Sequence, residues 1–112
     1  MAIQELTDNT ILIELPSQNT KIAEELKAVN KTISEASACN IIIDFSRVEI
    51  LASSNISNLL IMRSLLHDLG HKLILCNVST MTKCIFVVAG LSEIFNFADN
   101  TTSALAELQG VH

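Results

Sequence analysis

Two adjacent serines, Ser53 and Ser54, follow an apolar strand-like run that ends in an acid, Ile41-Ile42-Ile43-Asp44, and stand where an apolar helix begins. Hydroxyls at such a junction can attack as nucleophiles, cap the helix, or carry a phosphate. Attack requires a base within reach and an acid to orient it. The histidines are His67, His71 and His112. His67 lies about 20 Å along the helix from Ser54, at 1.5 Å per residue. His71 follows the helix-ending Gly70 and opens the next strand, toward the opposite end of the sheet. There is no G-x-S-x-G elbow and no glycine-rich phosphate loop. The sequence thus predicts neither an enzyme nor a cofactor.

The other two roles remain open. A serine that caps a helix contributes about 1 kcal/mol. A phosphate on Ser54, or alternatively on Ser53, would meet unpaired N–H groups and the positive end of the helix dipole. It would also add about −1.5 to −2 charge, enough to expel a partner docked flat on that surface. Asp44 has two readings as well. It accepts backbone N–H bonds from Ser46 or Arg47 in an Asx-type turn, or it lines the switch site.

Composition narrows the field. The 112 residues suit one domain, and 49% hydrophobic content is ample for one core. A net charge of −5, with the seven Lys and Arg scattered, leaves no basic stripe for nucleic acid. No apolar run approaches the ~20 residues of a bilayer span. The first ten residues lack the basic-then-apolar order of a signal peptide, so a cytoplasmic protein without membrane insertion is expected. Cys39, Cys76 and Cys84 each sit in an apolar segment and read as buried, reduced thiols. Without a C-x-x-C pair no metal site is expected.

The elements that must position the serines follow from periodicity. Ala2–Leu6 and Thr10–Leu15 read as strands around a Thr7-Asp8-Asn9 turn. Pro16 stops the second, and Ser17-Gln18-Asn19-Thr20 offers helix caps. Ile22, Leu26, Val29 and Ile33 recur on one helical face from about Asn19 to Ser34. Asn40–Phe45 is a strand buried on both faces. A helix follows from about Ser54 to Leu69, ended by Gly70, with more apolar positions than one stripe needs. That breadth leaves room for a partner or a homodimer. His71–Asn77, a helix from Ser79 or Thr80 to Ala89, a strand at Ile94–Phe97 and a helix over Thr101–Leu108, capped by Asp99 or Asn100, complete the chain. The order ββαβαβαβα implies a single α/β domain with a mixed, mostly parallel sheet.

Four pieces in this order resemble a known family: Ile41–Asp44; Ala52-Ser53-Ser54-Asn55; Leu69-Gly70-His71-Lys72-Leu73-Ile74-Leu75-Cys76-Asn77; and Gly90-Leu91-Ser92-Glu93-Ile94-Phe95. Together they look like a divergent STAS domain of the anti-sigma factor antagonist type. The resemblance implies a phosphoacceptor at Ser54 and a partner anti-sigma factor with serine kinase activity, bound by the unphosphorylated form. The implied contact surface comprises Ser17, Asn19, Asp44, Ser53, Ser54, Asn55, Ile56 and Ser57, with Ile56 as an apolar contact. Two positions depart from the family's Asp-Ser-Ser-Gly. Ala52 replaces the acid, which lowers the repulsion a phosphate would meet. Asn55 replaces the glycine and tolerates unusual backbone angles better than most residues, so the turn is expected to survive the change. STAS-like domains also serve in stress-signalling assemblies and transporters, so a constitutive adaptor is the alternative.

Overall fold

The computed structural model describes residues 2–35 and 39–110; Met1, residues 36–38 and residues 111 and 112, His112 included, lie outside them. The order is β1 (Ala2–Thr7), β2 (Thr10–Glu14), α1 (Asn19–Glu35), β3 (Asn40–Asp44), α2 (Ser53–Asp68), β4 (Leu73–Cys76), α3 (Thr80–Val88), β5 (Asn96–Ala98) and α4 (Thr101–Leu108). The strands form one sheet in sequence order. β1 and β2 are antiparallel, and each later neighbour is parallel.

Alternation along the strands builds two cores. Ile13, Ile41, Ile43, Leu73 and Leu75 face one side, where the apolar faces of α1 and α2 cover them together with Phe86 of α3. Leu12, Ile42, Ile74 and Cys76 face the other side and meet Ala104 of α4. The central β3 thus buries three consecutive isoleucines, which removes more apolar area per residue than a half-exposed strand can. Phe86 anchors α3 by edge-on contacts with Phe95 and Phe97, at centroid distances of 5.3 and 5.4 Å.

Helix ends follow their local chemistry. Ser79 Oγ accepts the Thr82 N–H at 3.2 Å to open α3. Asn100 Oδ1 accepts the Ser103 N–H at 2.8 Å to open α4. Gly70 closes α2 with φ of 79°, a left-handed angle that frees the His71 N–H to return to Leu66 O.

Two expected strands are shorter or displaced. His71 and Lys72 lie outside β4, the Lys72 N–H being taken by Asn40 Oδ1 at 2.9 Å. Ile94 and Phe95 lie outside β5, because their N–H groups turn back to Leu91 O.

Candidate functional site at the C-terminal strand edge

Parallel pairing of β2, β3 and β4 brings the segments after them to one edge of the sheet. Ladder-like bonds extend past the strands: the Leu15 N–H donates to Asp44 O and the Phe45 N–H to Cys76 O. Asp44 is the hinge pin of this edge. Its Oδ1 accepts the Ser46 N–H at 2.9 Å, the expected Asx-type turn, and also Asn77 Nδ2 at 3.0 Å. Asn77 holds a left-handed φ of 55°, which asparagine tolerates better than most residues. One carboxylate oxygen therefore orders the loops after β3 and β4, and Asp44 is only partly exposed.

The β3–α2 loop delivers the serine pair, with a difference from expectation. Neither serine caps α2. The N-cap is Ala52, extended at φ −75° and ψ 153°, and it has no side-chain bond to offer. Ser53 and Ser54 are the first two helical residues. Their N–H groups belong to those a helix cannot pair with itself, and the N-cap residue, Ala52, has no side-chain acceptor for them. Both residues are exposed. Ser57, one turn on and also exposed, donates its hydroxyl to Ser53 O at 3.3 Å.

Asn55 corrects two expectations. Its backbone is ordinary helix, since Asn77 is the sole described non-glycine residue at positive φ. Its side chain is fully buried, so it offers no surface to a partner. Instead Nδ2 of Asn55 donates to Asn19 Oδ1 at 3.2 Å and to Asn19 O at 3.3 Å. Asn19 Oδ1 also accepts the Ala52 N–H at 3.1 Å. These bonds hold the start of α1, with Ser17 exposed just before it, beside the start of α2. Ile56 is likewise largely inside, at 8% exposure, and presents only its edge.

That edge belongs to an apolar groove which the sequence reading missed. Ser53 and Ile56 of α2 meet Met81, Cys84, Ile85, Val88 and Ala89 around a cavity of about 510 Å³. Met81 is 69% exposed and Val88 88%. Cys84 is exposed too, against the expectation of three buried thiols; Cys76 is buried and Cys39 partly so. The signal was present in Met81–Val88, where six of eight residues are apolar, too many for the single stripe that Phe86 needs.

Hydrolytic chemistry finds no support in this geometry. His67 sits in the last turn of α2 and His71 just beyond it, at the other end of the helix from Ser54. Among the described residues no His, Cys, Asp and Glu cluster could hold a metal ion.

The STAS domain family model matches residues 8–104. The chain belongs to the STAS family. Solved structures agree on the STAS fold across the whole chain. The anti-sigma factor antagonist SpoIIAA in its unphosphorylated form superposes with a TM-score of 0.81 at 20% identity, covering 99% of this chain and 97% of that one. A stressosome component superposes at 0.74 and 18% identity, covering 97% and 96%. A sulfate transporter family protein from Wolinella succinogenes gives 0.81 and 19%, covering 95% and 89%. The STAS fold thus appears in proteins whose settings differ. Among the described residues no helix of this STAS domain is long and apolar enough to cross a membrane.

Proposed function

We propose that this STAS domain is a phosphorylation-switched interaction module of the anti-sigma factor antagonist type, acting in the cytoplasm. Its unphosphorylated form binds an anti-sigma factor that is also a serine kinase, and phosphate on Ser54 releases it. The domain itself is no enzyme and needs no cofactor. The observation that carries this reading is the start of α2: an exposed Ser54 in the first turn of a helix whose N-cap residue, Ala52, has no side-chain acceptor. A phosphate there gains local N–H donors and the positive dipole end. The adjoining groove of Ile56, Met81, Cys84 and Val88 supplies apolar area for the partner. A dianion on Ser54, next in sequence to the groove's Ser53, must be desolvated on docking, which opposes the complex.

The test is to co-purify the partner, add ATP and look for a gain of about 80 Da, one phosphate, on Ser54. A Ser54→Asp variant should lose partner affinity by about 2 kcal/mol or more. A kinase-type partner that binds and leaves both Ser53 and Ser54 unmodified overturns the switch.

A second reading is favoured by Ala52, where the family carries an acid. In it the same surface binds constitutively as an adaptor, in a stress-signalling assembly or a transporter complex. Unmodified serines together with a stable complex in the presence of ATP would select it.

A further inference from the structure

The opposite edge of the sheet holds a second cavity, of about 180 Å³, lined by Arg63, His67, His71, Lys72, Leu73 and Asn96. We propose that this cavity is a binding site for a small phosphate-class anion, separate from the serine edge. Two of the chain's seven Lys and Arg and two of its three His meet here, in a protein of net charge −5. The nearest acids in sequence, Asp68, Glu93 and Asp99, do not line the cavity.

The cationic groups keep donors to spare where they stand. A basic side chain at a helix C-terminus ordinarily serves the last carbonyls, and His67 occupies that position in α2. Here Leu66 O already accepts the Leu69 and His71 N–H groups, and His67 O accepts the Gly70 N–H. The imidazole of His67 is therefore left over from capping. Lys72 uses its backbone N–H toward Asn40, and its exposed ammonium takes no part in that bond. Arg63 commits one donor: its Nε–H bonds to Ile94 O at 2.8 Å. That bond fixes the guanidinium plane and leaves four of its five N–H donors for a ligand. Asn96 adds an exposed amide at the start of β5. A fixed Arg fork with a nearby ammonium is donor-only chemistry, which suits phosphate oxygens, and each imidazole adds an N–H donor.

Size limits the ligand. Sites for drug-sized molecules occupy about 300–1,000 Å³. This cavity is smaller, and it takes inorganic phosphate or the phosphate end of a small monoester.

The experiment is an amide-resonance titration of the full chain with inorganic phosphate at constant ionic strength, with chloride as the balancing salt. A parallel titration uses glycerol 3-phosphate. Saturable shifts confined to residues 63, 67, 71–73 and 96 are expected. Tighter binding of the monoester would assign an organic phosphate as the ligand, and equal or weaker binding the free ion. Lys72→Gln and His67→Gln alter exposed side chains and should each weaken binding at least threefold, with the rest of the spectrum unchanged. Lys21→Gln, the same charge change at the serine edge, should leave it intact. Absence of saturable shifts overturns the site, as does equal weakening by Lys21→Gln.

Discussion

Asn55 Nδ2 reaches both the side-chain and the main-chain oxygen of Asn19, at 3.2 and 3.3 Å, and so ties the first turn of α2 to the first residue of α1. Asn55 is fully buried, so its amide has these partly buried bonds to Asn19 in place of water. Asn55→Ala should therefore destabilise the domain by about 1–3 kcal/mol, read from denaturant midpoints. Asn55→Gly restores the family residue but removes the same bonds and adds helix cost, so it should be at least as damaging. Full stability in both variants would contradict the assignment.

Asp44 Oδ1 serves two loops at once. Asp44→Ala should cost about 1–3 kcal/mol and loosen both the β3–α2 and β4–α3 loops. Faster amide exchange at Ser46, outside the variant's own position, is the local signature. An effect confined to the β3–α2 loop, with the loop around Asn77 unchanged, would mean that the carboxylate does not bridge.

The two faces of α3 should separate stability from binding. Phe86 is fully buried against Phe95 and Phe97, so Phe86→Ala should cost about 3–5 kcal/mol. Val88 is almost fully exposed, so Val88→Glu should change stability by no more than about 0.5 kcal/mol. If the groove is the docking surface, Val88→Glu should nevertheless abolish capture of the partner identified by co-purification. Normal capture would place that contact elsewhere.

The thiols differ in access and in acidity. Iodoacetamide should label Cys84 first and buried Cys76 last in the folded protein, as mass spectrometry of timed samples would read. Burial, the largest cause, raises the Cys76 thiol above its ordinary range; Asp44 adds to the effect and the Thr101 hydroxyl opposes it. Burial likewise raises Cys39, with Glu5 adding and a backbone hydrogen bond at Ile11 opposing. In the unfolded chain these thiols ionise near pH 8.5, while the fold holds their protons to higher pH. Their contribution to stability is thus complete below about pH 8.5 and falls as pH rises above it. Cys76→Ala should flatten that fall in midpoints measured across the alkaline range. An unchanged slope would mean that Cys76 ionises alike in both states.

Much of this arrangement is legible from residue order. An unbroken apolar run, buried on both faces, marks β3, and the 4-3-4 spacing of Ile22, Leu26, Val29 and Ile33 marks α1, because each pattern reports which faces meet the core. What escaped is side-chain direction at polar residues. Asn55 beside two serines reads as surface, yet the Asn19 partner that draws it inside lies 36 positions away. Asn30 hides for the same reason, donating to Asn58 O across the α1–α2 contact. Cys84 misleads in the other direction, since apolar neighbours suggest burial while Phe86 is the one apolar residue of α3 that is fully buried. Pattern gives the period of an element; which polar group is enclosed depends on contacts that close only after the helices pack.

The uncapped start of α2 has a further consequence. A helix that opens on Ala52 has donors waiting but loses nothing when they are met. If Ser54 is modified, the free domain should therefore keep its shape and its resistance to unfolding, or gain slightly in the latter. The modification would be silent in the isolated molecule, and only a second protein arriving at that edge could read it.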